Sequence, residues 1–158
     1  MTRDKLMLIV QSSIVAALYF ALSWIFAPIS FSAVQVRIAE AFYAICLFNP
    51  CGIWGMTVGC LLSNIFFSPF GLLDVLFGTL ATFLGCVGVY ALRKNKMVAF
   101  ACPVITNALL VPLVLQLAAG LPYVANLFYV AVGEAVAVYA IGTLLHTLLL
   151  RIFPSIRG

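Results

Sequence analysis

Val34-Gln35-Val36-Arg37-Ile38-Ala39-Glu40-Ala41 is the stretch that decides how the chain is read. It sets Arg37 and Glu40 three residues apart, between two runs that carry almost no charge. At helical spacing both side chains lie on one face, about a turn apart and within pairing reach. Ionisable groups in a membrane face a bundle interior or a wet cavity, and they mark functional sites by default. The stretch therefore reads as part of the outer mouth of a small-molecule pocket, provided that its flanks are membrane spans.

The flanks read that way. Of 158 residues, 66% are hydrophobic and 8% are charged, and the mean hydropathy is +1.25. A soluble protein of this size needs a far more polar skin, so the solvent must be lipid. A span takes roughly 20 apolar residues, which leaves length for about six short helices, tight loops and no soluble domain. With no Gly/Ser linker or low-complexity tail, residues 1–158 read as one domain.

The net charge of +4 points to membrane orientation rather than to nucleic acid. The N-terminal Thr2-Arg3-Asp4-Lys5 precedes a long apolar run without a convincing cleavage site, so a retained first helix is expected. Cys46, Cys51, Cys60, Cys86 and Cys102 form no CxxC and sit among apolar residues. They read as small buried side chains rather than metal ligands or disulfides.

The first predicted helix covers 6–27 and carries Ser13, Ala17 and Ala21 at steps of four. Small residues at that spacing let another helix approach closely, either inside the bundle or from a partner. A loop over 28–33 leads to a second helix over 34–47, and Asn49-Pro50-Cys51-Gly52 is a turn. A third helix over 53–67 carries Gly55, Gly59 and Ser63. The second and third are short for full spans and either tilt or form a partly re-entrant pair. After Ser68-Pro69-Phe70-Gly71, a fourth helix over 72–92 strings Asp74, Gly78, Ala81, Gly85 and Gly88 along one stripe. The fifth covers 97–119, with Pro103 and Pro112 inside it, and the sixth covers 123–150.

Six spans put both termini and the Arg93–Lys96 loop on one side. That side holds Arg3, Lys5, Arg93, Lys94, Lys96, Arg151 and Arg157, seven of the eight basic residues. The positive-inside rule makes it the cytoplasm. The expected fold is thus an all-α integral membrane protein of six transmembrane helices, with cytoplasmic N- and C-termini, multi-pass in the cell membrane.

So oriented, Arg37, Glu40, Asn64, Asp74 and Asn126 fall near the outer ends of their helices. Asn107 lies about mid-span, and Glu134 lies about 16 Å below the start of its helix at roughly 1.5 Å per residue. A cavity open to the outside is the simplest way to satisfy them all. A buried carboxylate is costly unless paired or neutralised, so Glu134 either pairs with Arg37 or recognises a ligand. As a ligand group, it accepts two parallel hydrogen bonds from an amidine-like or guanine edge. Asn107 offers a donor and an acceptor, for such a ring or for a neighbouring helix. Asp74 or Glu40 could meet a cationic group on the ligand, and Asp74 could instead cap its helix. His146 is given no role. With no Walker-type loop, no HExxH, no metal cluster and no Ser/His/Asp set, an intramembrane enzyme is the weakest reading, and neither metal nor cofactor is expected.

Several stretches resemble the QueT family. They are Val34 to Ala41, the Gly-x-x-x-Gly-Cys-Leu-Leu-Ser-Asn run from Gly55 to Asn64, Leu73-Asp74-Val75-Leu76-Phe77-Gly78-Thr79-Leu80-Ala81-Thr82, Pro103-Val104-Ile105-Thr106-Asn107-Ala108-Leu109, and Gly133-Glu134-Ala135. The resemblance spans nearly the whole chain. It implies a substrate-binding (S) component of an energy-coupling factor (ECF) transporter, with six helices. The implied partners are a transmembrane T component and two cytosolic ATPase subunits, so the chain itself has no ATPase. It also implies a queuosine precursor as substrate, such as 7-aminomethyl-7-deazaguanine, queuine or a related deazapurine. Ala17-x-x-x-Ala21, with Ser13, then resembles the small-residue motif by which S components dock. The substrate-binding residues expected are Glu134, Asn107, Arg37, Glu40, Asp74 and Asn64. The alternative is a self-sufficient, ion-coupled carrier for a small polar or cationic solute, with Glu134 as proton relay.

Overall fold

The computed structural model describes residues 2–30 and 36–153, and every regular element among them is helical. In chain order these are α1 (Arg3–Ile25), α2 (Ala27–Ser30), a 3-10 turn (Ile38–Phe42), α3 (Tyr43–Cys46), α4 (Cys51–Phe67), α5 (Asp74–Ala91), α6 (Lys96–Ala119) and α7 (Tyr123–Ile152). Helices α1, α5, α6 and α7 are long and apolar enough to cross a membrane, and α4 is a shorter apolar helix. The packing is inverted relative to a water-soluble protein. Ile14, Leu18, Trp24, Trp54, Phe66, Leu72 and Val124 are exposed, while Glu40, Asp74, Asn107 and Glu134 are buried. Only an apolar solvent makes that distribution favourable.

The helix ends follow their local chemistry. The Asn95 side chain accepts from the Met97 and Val98 amides, at 3.2 and 3.4 Å, and starts α6. Gly120, at φ 66°, adopts the left-handed conformation that closes it. Pro103 and Pro112 are carried inside α6. In the 47–50 turn, Asn49 Oδ1 accepts from the Cys51 amide at 2.9 Å, an Asx-turn that fits the Asn-Pro signal.

Two segments differ from the sequence reading. The expected loop over 28–33 begins with a helical turn, α2, because Pro28 sits at a helix start, where its missing N–H costs no hydrogen bond. Residues 31–33 of that loop lie outside the described residues. So does the start of the expected second helix, at 34–35. The rest of that helix is a 3-10 turn followed by the single α-turn α3, and Arg37 precedes it in a non-helical conformation (φ −85°, ψ 88°). Arg37 and Glu40 therefore do not share an α-helical face. Their side chains reach different neighbours, Asp74 for Arg37 and Tyr19 for Glu40.

Small residues set the close approaches. A Cβ on Gly55 would fall 2.6 Å from Val15 Cβ, and one on Gly59 would fall 2.8 Å from Tyr19 Cβ, so α4 lies directly against the Val15/Tyr19 face of α1. On α5, Gly85 and Gly88 likewise make room for the Tyr43 hydroxyl and for Cys102. Contacts also gather the basic segments at one end. Gln11 of α1 bonds to Asn49 at 3.3 Å. Phe48 stacks on His146 near the end of α7, with ring centroids 5.1 Å apart. The Tyr139 hydroxyl donates to the Met97 carbonyl at the start of α6, at 2.8 Å. Arg157 lies outside the described residues.

Two apolar clusters occupy the interior. The larger includes Tyr43, Met56, Cys86, Val89, Phe100 and Val138. The smaller is Val111, Leu115 and Val130, with Phe70 against them. Along α6 and α7, Asn107 and Glu134 fall between the two. Two helices also carry π-turns, at Asp74–Gly78 in α5 and at Val136–Gly142 in α7. A π-turn inserts a residue and re-aims the side chains around it, often at a functional site. One begins at Asp74, and the other begins two residues after Glu134.

Candidate functional site

Arg37, Glu40, Asn64, Asp74, Asn107 and Glu134 are all buried, none more than 5% exposed. Asp74 is the hub of one group. Its Oδ1 lies 3.4 Å from Arg37 Nη2, and its Oδ2 accepts from the Ser68 hydroxyl at 2.6 Å. Its backbone carbonyl accepts from Asn64 Nδ2 at 3.0 Å. Gly78 makes this possible, since a Cβ there would sit 2.7 Å from Asp74 Oδ1 and 2.9 Å from Asn64 Nδ2. The α5 stripe of small residues and its terminal carboxylate are thus one device. Asp74 does not cap its helix; its carboxylate is engaged by Arg37 and Ser68.

Glu40 is the hub of a second group. Its Oε1 accepts from the Tyr19 hydroxyl at 2.5 Å and from Thr82 Oγ1 at 3.3 Å. Its Oε2 is buried with no hydrogen-bond partner. Thr82 Oγ1 also lies 3.3 Å from Cys60 Sγ, which is 3.4 Å from Asn64 Nδ2. That contact joins the Glu40 group to the Asp74 group.

The third group is Asn107 and Glu134. Asn107 Nδ2 donates to Glu134 Oε1 at 3.3 Å and to the Pro103 carbonyl at 3.1 Å. Asn107 Oδ1 is buried without a hydrogen-bond partner. The 3-10 turn bearing Glu40 packs on the π-turn that follows Glu134, where Gly142 lets the Ala41 carbonyl approach.

The six expected residues thus form one polar centre. Asn126 stays apart and donates to the Pro122 carbonyl one turn back, at 2.8 Å. The expected outward-open cavity is corrected here. The six side chains are shielded from solvent and satisfy much of their polarity against one another. Sequence reasoning missed Tyr19, Thr82, Cys60 and Ser68, which fix the carboxylates or link the groups. Tyr19 shares a helix face with Val15 and Ser23, a pattern equally suited to plain packing. A lone Thr or Ser in an apolar helix carries still less signal.

Ser13 and Ala17 are exposed and Ala21 is half-buried, whereas Val15, Ala16, Tyr19 and Ser23 of the same helix are buried. The small-residue stripe of α1 is therefore largely open to the outside of the bundle, and at Ser13 it borders α4. A surface groove of about 340 Å³ beside it is lined by Ser12, Ser13, Ala16, Trp54 and Val58, among others. All five cysteines are free, four of them buried. The described residues hold no cluster of three or more His, Cys, Asp or Glu suited to a metal.

Apolar helices wrapped around a sealed centre of three carboxylates, a guanidinium and two amides mark a membrane protein with a polar interior. Comparison with known families identifies which kind. A protein-family profile described as QueT transporter matches residues 9–151, nearly the whole chain. The chain belongs to the QueT transporter family, and its role is in membrane transport. A search of curated proteins and of solved structures gives no match.

Proposed function

We propose that this chain is the substrate-capture (S) component of an ECF-type, ATP-driven importer and that it binds a queuosine precursor from the outer side. In this reading residues 1–158 form one unit that crosses the cell membrane six times, with both termini cytoplasmic. The gathering of Arg3, Lys5, Arg93, Lys94, Lys96 and Arg151 toward one end supports that orientation. A T component and two cytosolic ATPase subunits supply the energy. The outward-facing Ser13, Ala17 and Ala21 are the docking surface, because small side chains admit a partner helix at close range.

The observation that carries the substrate reading is the Asn107–Glu134 pair. It sets an unpartnered amide oxygen next to a carboxylate, both buried. Two adjacent acceptors fit the N–H donors along the guanine-type edge of a deazapurine. Val111, Leu115 and Val130 lie nearby along the same helices and offer apolar surface to the ring. Calorimetry on detergent-purified protein tests the reading, with 7-aminomethyl-7-deazaguanine and queuine as probes. Saturable heat with either is expected, and a folded protein that gives none with both refutes the assignment.

A buried carboxylate at Glu134 also suits a self-sufficient proton-coupled carrier. Liposomes holding this chain alone separate the two readings. Uptake driven by a pH step favours the carrier, and uptake only with ATPase partners favours the importer.

A further inference from the structure

We propose that the polar centre selects a cationic ligand and that Glu40, not Asp74, is the group that receives the positive charge. This rests on the deazapurine reading and sharpens it to a ring bearing a protonated amine arm.

The first ground is charge balance. Glu40, Asp74 and Glu134 bring three carboxylates into the centre, and Arg37 brings one guanidinium. All four are at most 5% exposed. With one guanidinium against three acidic groups, at least two of the acids must either keep a proton or meet a further cation. Holding them ionised without a partner is expensive, because unpaired charge away from water is strongly penalised. A ligand that carries its own positive charge supplies that cation, whereas a neutral ring of the same shape does not.

The second ground is which oxygen is available. Asp74 is committed through Oδ1 to Arg37, through Oδ2 to Ser68 and through its backbone to Asn64. Glu40 is held by one oxygen only. Tyr19 and Thr82 both bond to Oε1 and fix the carboxylate, while Oε2 is fully buried and makes no hydrogen bond. A buried, oriented and unsatisfied carboxylate oxygen costs free energy until a donor reaches it. An ammonium donor satisfies the hydrogen bond and the charge together.

Asn107 and Glu134 would then read the ring while Glu40 reads the arm. The 3-10 turn that carries Glu40 packs against the π-turn just after Glu134, so the two carboxylates belong to abutting elements.

The test uses two ligands with one ring system, 7-aminomethyl-7-deazaguanine (cationic) and its neutral 7-cyano counterpart, titrated into the purified full chain. The wild-type protein is expected to bind the cationic compound at least tenfold more tightly. Glu40→Gln should bring the two affinities within threefold of each other, and Asp74→Asn should lower the ratio less than Glu40→Gln does. Thermal melting checks that each variant is folded. The wild-type ratio alone decides the selectivity if Glu40→Gln does not fold. A wild-type ratio below ten overturns the inference and leaves the deazapurine reading standing. A ratio that survives Glu40→Gln overturns the role given to Glu40. Binding of neither compound overturns the deazapurine reading and this inference with it.

Discussion

Arg37 Nη2 lies 3.4 Å from Asp74 Oδ1, with both residues buried, and this contact ties the chain just before the 3-10 turn to the first turn of α5. Residues 37 apart in sequence are thereby held across the polar centre. Removing one partner of a buried ion pair leaves the other charge uncompensated, at a cost on the order of 3 kcal/mol. Asp74→Asn should lower stability by about that amount, read as a fall in melting temperature in detergent. An unchanged melting temperature would show that the pair contributes little.

Glu134→Gln keeps the shape of the side chain and an oxygen for Asn107, but it removes the carboxylate. Deazapurine binding should weaken by at least about 100-fold, roughly 2.7 kcal/mol. Copurification with the T component should be unaffected. Calorimetry and a pull-down read the two effects separately.

Ala17→Trp should do the opposite. Ala17 is exposed on α1 and is not among the side chains of the polar centre. A large ring there blocks a helix that needs close backbone approach. Ligand affinity should stay within about twofold, and recovery of the partner subunits should collapse. Loss of ligand binding with retained assembly would mean that the two surfaces have been assigned the wrong way round.

Gly78→Ala places a methyl 2.7 Å from Asp74 Oδ1 and 2.9 Å from Asn64 Nδ2. Overpacking of this kind costs about 1–3 kcal/mol. The variant should melt earlier than wild type. Gly71→Ala makes a useful contrast, because a Cβ there meets nothing within 4 Å and the only penalty comes from its φ of 59°. That penalty is about 1 kcal/mol, so Gly78→Ala should be the more damaging of the two.

Tyr19→Phe deletes the hydroxyl that donates to Glu40 Oε1 and leaves Thr82 as the remaining donor. A hydrogen bond to a charged group is worth about 1.5–3 kcal/mol, and a stability loss in that range is expected. If Glu40 receives the ligand's cation, affinity should fall as well, because the carboxylate is less firmly aimed.

Much of this architecture was legible in the sequence. Lipid-scale apolar runs, the turns at Asn49-Pro50 and Ser68-Pro69, and the span of the fifth helix over 97–119 all have local causes, and the structure bears them out. The six polar residues could be collected because any polar atom in such a chain is costly enough to stand out. The pairing pattern was not legible. Arg37 meets Asp74, which is distant in sequence, and not its helical neighbour Glu40, because the segment between them turns as a 3-10 helix. The two π-turns were equally hidden, since Asp74–Gly78 and Val136–Gly142 use the same apolar and small residues as the α-helices on either side. Tyr19 and Thr82 were missed because their importance comes from what faces them across the bundle.

The burial of the polar centre has a kinetic consequence. No solute can reach Glu40 or Asn107, both without solvent exposure, by diffusing into a ready cleft. For a solute bound as proposed, loading waits for the bundle to open, so association is slower than collision and reports the opening frequency. The same closure slows escape. A transporter closed in this way trades speed of loading for residence time.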